Sequence, residues 1–420
     1  MTKALIVGGG IGGLSAALSL AELGIELEIY ESVPEVQPLG VGINLLPHAV
    51  RELFELGLAA QLEAAGVLTA ELAYFSKHGQ AIWSEPRGIA AGYRWPQISI
   101  HRGVLHLLLL EEVQKRIGKQ RIHLGHHLVS IDQTGSGVRA HFTDRRSRAQ
   151  LAAAEGDILI GADGIHSQTR ALLHPGEGKP AWNGTWLWRG VTHGAPFLSG
   201  RSMIMAGHSE HKFVCYPIGP SPRGGALINW VAELRYPVSE LTEREDWNKR
   251  GELSEFLPRF ADWRFSWLDV PRMIEDAEAV YVYPMVDRDP LDHWGEGRVT
   301  LLGDAAHPMY PVGSNGASQA ILDARVLAGC LRCKSPLEAA LRAYENVRLP
   351  ATAALTLANR KQGPEECMTL VEARAPDGFE RIEDVISQAE LEAISAKYKR
   401  LAGFSIAEIN ARPSLAHAEY

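Results

Sequence analysis

The sequence contains few cysteines. Cys215, Cys330, Cys333 and Cys367 are scattered over 420 residues, which does not fit the disulfide framework of a small secreted scaffold. Cys330 and Cys333 have the spacing of a redox motif, but they lie near the end of a helical pattern, and no second pair exists to complete a zinc site. We therefore expect reduced cysteines without a catalytic role, in a cytoplasmic protein.

Long apolar runs and an excess of positive charge are also missing. No stretch is long enough to span a bilayer, and the apolar run after Lys3 ends at Gly8, which favours a first β-strand over a signal sequence. The formal net charge is −8, whereas a nucleic acid or an anionic membrane would favour a basic surface. The composition therefore predicts a soluble protein with neither partner, and it leaves the oligomeric state open.

The motifs of metal and nucleophilic catalysis are absent as well. The sequence has no Ser-His-Asp signature, no H-E-x-x-H and no zinc-ligand spacing. His123, His126 and His127 lie in a strand-like segment, where neighbouring side chains alternate between faces. We therefore predict that the protein holds no metal.

Glycine, in contrast, is somewhat enriched, and its first cluster forms a nucleotide-binding motif. Gly8, Gly10 and Gly13 fit G-x-G-x-x-G, after a strand pattern over Lys3–Val7 and at the start of a helix. One glycine makes the tight turn, one lets the backbone approach a pyrophosphate, and one lets helix and strand pack closely. Glu31 ends the second strand, where a carboxylate suits ribose hydroxyls and repels a 2′-phosphate. The motif predicts FAD or NAD.

Two later strands end in an acidic turn and decide between these cofactors. Residues 157–161 lead into Asp163 and Gly164, and residues 298–302 lead into Gly303 and Asp304. Open α/β sheets bind ligands at the carboxyl ends of their strands. An NAD enzyme does not need a further acidic strand end so late in the chain, whereas FAD does, because its ribitol extends beyond the pyrophosphate. The three segments together predict FAD.

These segments resemble the class A flavoprotein aromatic hydroxylases, the single-FAD-domain class of para-hydroxybenzoate hydroxylase. The resemblance implies that Glu31 binds the adenosine ribose, Asp304 the ribitol, and that the turn at Asp163 serves FAD and NADH or NADPH. Arg102 matches an arginine that contacts FAD in this family. It also implies that O2 reacts with the reduced flavin, and that a flavin C4a-hydroperoxide hydroxylates a small aromatic substrate.

The segment after Asp304 is a loop rich in proline and glycine that precedes a long helix. Prolines fix φ, and glycines let backbone N–H groups approach a flat ring. A helix that starts there directs its positive end toward the flavin N1–C2=O edge and stabilises the anionic reduced flavin. The flavin-side residues predicted on this basis are Pro308, Pro311, Gly313, Asn315 and Gly316.

Two other features are predicted near the flavin. Residues 39–47 match a second glycine-rich flavin-side loop of the family, and His48 after it is either a proton relay or a surface histidine at a helix start. In the middle of the chain, aromatic residues on alternate positions indicate an antiparallel sheet with one covered face. We predict that Trp188, Tyr216 and Trp230 face the substrate from this sheet.

The strand and helix patterns predict an α/β (α+β) fold. A Rossmann-like FAD-binding domain is expected over residues 1–72, 99–180 and 283–360. It is interrupted by a mixed or antiparallel sheet domain for the substrate over residues 73–98 and 181–282. Residues 361–420 are expected to be mostly helical, with a loose end after Pro413.

Several stretches resemble one branch of the family, whose members hydroxylate phenazine carboxylates with loss of a carboxylate. They include residues 83–88, 188–192 and 283–290, and the similarity ends near residue 360. The ring stays open, because pockets of one scaffold diverge freely. The alternatives are a hydroxybenzoate- or salicylate-type hydroxylase, a non-oxygenating flavin reductase, and a flavin-bound redox sensor.

Overall fold

A computed structural model describes residues 2–38, 40–237 and 249–420, so Leu39 of the predicted flavin-side loop lies outside the described residues. The strands are β1 (Lys3–Val7), β2 (Glu26–Glu31), β3 (Gly42–Leu45), β4 (Val67–Thr69), β5 (Glu71–Phe75), β6 (Ala81–Pro86), β7 (Gln97–His101), β8 (Ile122–Leu124), β9 (His126–Gln133), β10 (Val138–Asp144), β11 (Ala154–Gly156), β12 (Ile158–Gly161), β13 (Ala181–Gly194), β14 (Ser202–His208), β15 (His211–Pro220), β16 (Ala226–Arg235), β17 (Arg264–Phe265), β18 (Leu268–Asp269), β19 (Ala277–Asp287) and β20 (Val299–Leu301).

The α-helices connect these strands and then dominate the last hundred residues. They are α1 (Ile11–Ala21), α2 (Pro47–Glu55), α3 (Ala59–Ala65), α4 (Arg102–Ile117), α5 (Gln168–Leu173), α6 (Leu253–Phe256), α7 (Val270–Glu275), α8 (Gly316–Cys333), α9 (Leu337–Asn359), α10 (Glu366–Arg374), α11 (Gln388–Leu401) and α12 (Ile406–Ala411). Within the described residues, none of them is long and apolar enough to cross a membrane.

A five-stranded parallel sheet forms the centre of the first lobe, in the order β20-β12-β1-β2-β8. Alternate residues of β1 point to opposite faces, and both faces are covered. Ala4 and Ile6 join the core beneath α1 and α8. Leu5 and Val7 instead pack against the three-stranded antiparallel sheet β11-β10-β9. Because the strands are parallel, the turns after β1, β12 and β20 come together at one edge.

A seven-stranded sheet forms the second lobe, in the order β19-β13-β16-β15-β14-β5-β6. Its pairings are antiparallel except for β14 with β5. One face packs on α6 and α7 through a cluster that includes Phe256, Phe260 and Ile274. The other face packs on the 308–316 loop and the C-terminal helices, through Tyr310 and Met368 among others. This mixed α/β architecture confirms the predicted fold class.

The division into domains stays a prediction, but the strands show where the sheets exchange. Residues 71–86 and 181–287 supply the seven-stranded sheet, close to the segments predicted for the substrate lobe. The strands β4 and β7 pair instead with β3 in a small three-stranded sheet. Strands β7 and β3 of this small sheet contact β15 and β16 of the second lobe. The segment over residues 40–47, which includes β3 and is called the 40s loop below, therefore lies against that lobe.

The C-terminal tail is packed, which corrects the expectation of a loose end after Pro413. The guanidinium of Arg332 on α8 donates to the carbonyls of Ala416 and Ala418, at 3.1 Å each. The ring of Tyr420 lies so close to Gly329 that a Cβ there would come within 2.5 Å of it. Helix α8 therefore holds the tail in place through the side chain of Arg332 and the close approach at Gly329.

Candidate active site

The turn between β1 and α1 gives two of the predicted glycines a structural reason. Gly8 has φ of +105°, and a Cβ there would lie 2.3 Å from the carbonyl oxygen of Ala162 on the neighbouring strand exit. A Cβ on Gly13 would lie 2.0 Å from the carbonyl oxygen of Gly8. Both positions therefore need glycine for the strand, the turn and the helix to pack closely.

At Gly10 the protein itself does not require a glycine. Its backbone is ordinary, with φ of −77° and ψ of −175°, a conformation that any residue adopts. No atom of the surrounding protein lies within 4 Å of the place where a Cβ would stand. Nothing inside the chain demands glycine here, so the free space in front of the α1 N-terminus is available to a ligand. Backbone N–H groups at a helix start favour an anion such as a pyrophosphate.

Glu31 lies beside this turn, as its position at the end of β2 predicts. One carboxylate oxygen accepts a hydrogen bond from the backbone N–H of Gly9 at 2.7 Å, and the other accepts from Val33 at 2.8 Å. His106, which no sequence motif singles out, also lies at this turn, with its Nε2 2.6 Å from the carbonyl oxygen of Gly9. Helix α4 therefore contacts the glycine turn directly.

The carboxylate of Asp163 is hydrogen-bonded within its own turn. Its carboxylate accepts hydrogen bonds from the hydroxyl of Ser167 at 2.5 Å and from the backbone and hydroxyl of Thr169 at 3.0 and 3.2 Å. Burial raises the pKa of Asp163, and these donors oppose that shift. The side chain thus fixes the start of α5. Gly164 beside it has φ of +78° and open space around it, so a cofactor would meet this turn through its backbone.

Arg170 connects the two acidic turns, a role that the sequence did not reveal. Its buried guanidinium donates to the carbonyls of Ala305 and Ala306, at 3.1 and 2.8 Å, and forms an ion pair with Glu177. The residue therefore links the start of α5 to the segment just after Asp304. Because it is fully buried and paired, it positions the turn without reaching a ligand.

Asp304 lies at the bottom of a cleft, and no described residue donates a hydrogen bond to its carboxylate. The side chain is open to solvent, yet protein surrounds it on most sides. This desolvation raises the pKa of Asp304, while the nearby His307 and Arg102 oppose the shift. The Cβ position of Gly316 lies 4.0 Å from the carboxylate, so the start of α8 borders the same cleft. An acceptor without a donor in such a cleft suits the hydroxyls of a ribitol chain.

A buried ionic network holds the turn that carries Asp304. The carboxylate of Asp323 on α8 accepts from the backbone N–H of Gly303 at 3.0 Å and lies 2.6 Å from His307 Nε2. Its other oxygen accepts from Arg348 on α9 at 2.7 Å. Burial alone would raise the pKa of Asp323, but His307 and Arg348 lower it to about 2. The turn is therefore fixed by helices that the sequence motif does not include.

Arg102, at the start of α4, is exposed and faces the same cleft. It lies beside Gly40, whose Cβ position is 3.6 Å from the arginine side chain. Gly40 has φ of +110°. The 40s loop and α4 thus bring an exposed positive charge close enough to Asp304 to lower the pKa of its carboxyl.

The loop from Pro308 to Gly316 closes the cleft on one side. Pro311 precedes a 3-10 turn over Val312–Ser314. Gly313 has φ of +65°, and a Cβ there would lie 2.1 Å from the hydroxyl of Tyr398. The side-chain amide of Asn315 donates to that hydroxyl at 2.9 Å. Helix α8 begins at Gly316, with its N–H groups toward the cleft that holds Asp304.

The aromatic residues predicted to meet the substrate lie on two different faces of the large sheet. Trp188 stacks on Phe256 with ring centroids 5.0 Å apart, on the α6–α7 side. Trp230 is fully buried on that side and donates to Thr192 at 3.0 Å. The structure therefore corrects the expectation for these two tryptophans, since strand alternation turns them away from the cleft into the core.

Tyr216 lies on the other face, which looks toward the cleft. Beside it, Arg189 donates to the hydroxyl of Tyr283 at 3.0 Å and to the carbonyl of Gly42 in β3 at 2.9 Å. Burial raises the pKa of Tyr216 to about 12, although Arg189 opposes that shift. The sequence did not single out Arg189. It links the sheet to the 40s loop, whose backbone N–H at Gly42 also donates to Asn229 at 2.7 Å.

His48 is neither a proton relay nor a surface histidine. It is fully buried, stacks on Phe404 with centroids 5.7 Å apart, and has no hydrogen-bond partner at either ring nitrogen. Burial lowers the pKa of His48 to about 3, with Arg412 and Arg348 adding to the shift. It is therefore a neutral core residue, without a proton path through its ring nitrogens.

A cavity lies between the Pro308–Gly316 loop, the near face of the sheet and the C-terminal helices. One wall of the cavity is apolar, and one end carries charged and polar side chains. The residues that line it are Leu46, Leu72, Glu85, Arg87, Gln97, Met203, Met205, Gly313, Ser314, Pro364, Ser395, Tyr398, Lys399 and Phe404.

Comparison with known proteins decides the family. A family model described as an FAD binding domain matches residues 1–358. The chain belongs to this family. It is 46% identical over 369 residues to a phenazine 1,6-dicarboxylic acid hydroxylase, PhzS, of Lysobacter antibioticus, covering 87% of this chain and 91% of that protein. It is 32% identical over 357 residues to a 3-amino-4-hydroxybenzoate 2-monooxygenase of Streptomyces cremeus, covering 83% of each.

Solved structures show the same fold. HpxO of Klebsiella pneumoniae in complex with FAD and uric acid superposes with a TM-score of 0.73 at 24% sequence identity, over 97% of this chain and 96% of that one. The 2,6-dihydroxypyridine-3-hydroxylase of Arthrobacter nicotinovorans superposes with a TM-score of 0.68 at 24% identity, over 86% and 93%. The predicted FAD cofactor and the predicted family are confirmed, and this flavoprotein is an FAD-dependent monooxygenase of the aromatic hydroxylase type.

The residues of this flavoprotein fit FAD on structural grounds of their own. The space in front of Gly10 would hold the pyrophosphate, Glu31 the adenosine ribose and Asp304 the ribitol. The start of α8 and the exposed Arg102 would neutralise negative charge on the cofactor. NAD(P)H is the typical electron donor of the family. Among the described residues, no group of three or more histidine, cysteine or acidic side chains could hold a metal ion.

Proposed function

We propose that this flavoprotein uses NADH or NADPH and O2 to hydroxylate a small aromatic or heteroaromatic acid, and that a phenazine carboxylic acid is the first candidate. The observation that carries the proposal is the cavity beside the Pro308–Gly316 loop. Met203, Met205 and Leu72 give it an apolar wall, and Arg87 with Lys399 give it a charged end. Such a combination suits a flat apolar ring that carries a carboxylate.

The relatives point in the same direction. The Lysobacter protein is named for a phenazine dicarboxylic acid, and the Streptomyces protein for an amino-hydroxybenzoate. Both names describe ring systems with carboxylates. The greater identity to the phenazine enzyme favours a phenazine over a hydroxybenzoate or salicylate. Loss of the carboxylate during hydroxylation, which the sequence resemblance suggested, belongs to the same proposal.

The chain contributes binding, orientation and water exclusion. Bound FAD supplies the redox chemistry, since it takes electrons from NAD(P)H and allows one atom of O2 to reach the ring. The positive end of α8 and the N–H groups near Gly316 favour negative charge at the cofactor edge that they face. The near face of the sheet, with Tyr216, and the C-terminal helices shield the cavity from water. Tyr216 also offers a hydroxyl that stays protonated at neutral pH.

We further propose that the protein acts in the cytoplasm on small molecules, without nucleic acid or membrane. The formal net charge of −8 and the absence of a cysteine framework support this proposal. Fractionation of the producing cells, with activity followed in each fraction, tests it. Activity that sediments with membranes would contradict it.

The experiment that tests the enzymatic proposal follows donor, oxygen and peroxide together. Purified holoenzyme is given NADH or NADPH with phenazine-1,6-dicarboxylate, phenazine-1-carboxylate, its N-methyl form, salicylate or 3-hydroxybenzoate. Strong stimulation by one phenazine acid, with little peroxide and a hydroxylated product by mass spectrometry, is expected. Stimulation only by a benzoate would move the proposal to that substrate class. Donor oxidation without oxygen incorporation into any compound would overturn it and favour a reductase or a redox sensor.

A further inference from the structure

The charged end of the cavity is built around one buried carboxylate. Glu85, at the end of β6, is 4% exposed. Its oxygens accept from Arg87 at 2.7 Å, from the hydroxyl of Ser395 at 2.8 Å and from Lys399 at 2.5 Å. Burial by itself would raise the pKa of Glu85, but the two cations lower it. Two positive groups and one negative group thus meet in one place, and a single positive charge is left in excess.

The other charged residues of this region are paired with each other. Lys212 forms ion pairs with Glu233 at 2.9 Å and with Glu365. Neither Lys212 nor these two carboxylates line the cavity. Burial raises the pKa of Glu233, and the neighbouring Lys212 opposes that shift. The excess positive charge at Arg87 and Lys399 is therefore not cancelled by a group that faces the cavity.

Two buried polar atoms on the cavity wall have no partner. Gln97 is 3% exposed, and its Oε1 accepts no hydrogen bond. The Nε of Arg87 is buried and donates to no described atom. Unpaired buried polar groups cost free energy unless a ligand satisfies them. The Nε of Arg87 can donate to a carboxylate of a ligand. The Oε1 of Gln97 can accept from a hydroxyl or N–H group of the same ligand.

The opposite wall is apolar. Leu46, Leu72, Met203, Met205 and Phe404 line it. Methionine and aromatic side chains adapt to the faces of flat rings. Gly313 and Ser314, on the loop beside the flavin cleft, also line the cavity. The apolar wall therefore lies between the charged end and the loop.

Half of the charged end comes from outside the family region. The family model ends at residue 358, whereas Ser395 and Lys399 lie on α11. Tyr398 of the same helix is anchored to the loop by its hydroxyl, which lies 3.1 Å from the carbonyl oxygen of Val312. Helix α11, which lies outside the family region, therefore supplies part of the cavity wall.

We propose that Arg87 and Lys399 bind the carboxylate of the aromatic substrate, with Glu85 and Ser395 holding them in place and Gln97 receiving a second polar group of the ring system. This inference rests on the proposed function for the identity of the ligand. It assigns substrate selection to the C-terminal helix α11 and to the end of β6. Acids are preferred over neutral rings because of the excess positive charge at this end.

Binding to the holoenzyme tests the site without turnover. The absorbance change of bound FAD is titrated with phenazine-1-carboxylate and with the neutral phenazine-1-carboxamide, for the wild type and two variants. Lys399→Met is expected to weaken carboxylate binding about tenfold to a hundredfold, the value of a hydrogen bond to a charged group, and to leave carboxamide binding within about twofold. Glu85→Gln keeps a side-chain oxygen that can hold both cations, and it is expected to strengthen carboxylate binding, because it removes only the competing negative charge.

The control is Lys397→Met, a substitution of an exposed lysine on the same helix, which is expected to bind both ligands as the wild type does. An equal loss for acid and amide in Lys399→Met, or weaker carboxylate binding in Glu85→Gln, would overturn the assignment. If Lys399→Met loses FAD or unfolds, the two variants Lys399→Arg and Glu85→Gln test the assignment instead. Lys399→Arg keeps the positive charge and must keep the preference for the acid over the amide. A wild type that prefers the acid but hydroxylates nothing refutes the proposed function alone. A wild type that hydroxylates while Lys399→Met keeps its preference refutes the site alone.

Discussion

The hydroxyl of Tyr398 lies 2.9 Å from the side-chain nitrogen of Asn315 and 2.9 Å from the side-chain oxygen of Asn359. One phenol thus joins helix α11 to the residue that precedes α8 and to the end of α9. The same ring fills the space above Gly313. The geometry of the loop at the flavin cleft therefore depends on a helix that lies some eighty residues further along the chain.

Tyr398→Phe is expected to loosen this loop while keeping the ring in place. The variant leaves the amide of Asn315 and the oxygen of Asn359 short of a buried partner, which costs about 1–3 kcal/mol of unfolding free energy. FAD is expected to dissociate faster, because Gly313 and Asn315 are no longer held. Urea unfolding measures the loss of stability. The rise in fluorescence as FAD leaves the protein measures the rate of dissociation. Tyr236→Phe, at an exposed tyrosine, is the control, and identical behaviour of the two variants would contradict the linking role.

Gly10→Val is expected to leave the protein folded but to reduce its affinity for FAD strongly. The backbone at Gly10 accepts any residue, and the position of a Cβ meets no protein atom, so the added side chain enters only the space assigned to the pyrophosphate. Circular dichroism of the apoprotein and titration with FAD separate folding from binding. Gly135→Val, at an exposed glycine that is equally free of neighbours, serves as the control. Unchanged affinity for FAD in Gly10→Val would remove the pyrophosphate from this place.

Short-range patterns predicted the FAD cofactor and named the residues that are proposed to bind it. The glycines at positions 8, 10 and 13, the acid that ends β2 and the Gly-Asp turn after β20 are each a local motif on a parallel strand, and parallel strands bring their ends to one edge. The family comparison confirms the cofactor that these motifs predicted. The fold class was predictable for the same reason, because periodicity and glycine turns are local properties.

The cavity was not predictable in the same way. Trp188, Trp230 and Tyr216 share an alternating pattern, but the pattern does not say which face of the sheet meets the cofactor. Lys399 and Tyr398 lie on a helix with an ordinary amphipathic sequence, and only tertiary packing brings them to the loop. Side chains that converge from distant segments leave no spacing in the sequence to detect.

Asp304→Asn is expected to stabilise the apoprotein and to weaken FAD binding. Desolvation raises the pKa of Asp304 in the folded state, so its charge opposes folding at neutral pH. That penalty is absent below the pKa of the unfolded chain and appears as the pH rises through the folded pKa. The thermal midpoint of the variant should therefore exceed that of the wild type at pH 7, and the difference should shrink in acid. The affinity for FAD should fall about tenfold or more, because a charged acceptor becomes neutral.

Asp262→Asn, at an exposed aspartate, is the control for the Asp304 variant and should change neither quantity. A lower thermal midpoint for apo Asp304→Asn would show that the carboxylate has a partner in the protein. Stabilisation without a loss of FAD affinity would remove Asp304 from the cofactor site. The combination of a gain in stability with a loss of binding is typical of a group placed for its ligand.

His48→Leu is expected to make the protein less sensitive to acid. Burial holds the pKa of His48 at about 3 in the folded state, far below the value of about 6.5 in an unfolded chain. Below about pH 6.5 the unfolded chain therefore binds a proton that the folded protein does not bind. The free energy of unfolding falls by up to about 1.4 kcal/mol for each pH unit below that unfolded-state pKa. Leucine removes that contribution and sacrifices no hydrogen bond, because neither ring nitrogen has a partner.

Urea unfolding at pH 7, 6 and 5 measures the slope of stability against pH for the wild type and for His48→Leu. His417→Leu, at an exposed histidine, is the control, and it should retain the slope of the wild type. Parallel slopes for His48→Leu and the wild type would mean that His48 takes up its proton in the folded state. In that case the ring would again be a candidate proton relay, and the pH profile of hydroxylation in the variant would shift. An unshifted profile together with a shallower stability slope is the outcome that a neutral core histidine requires.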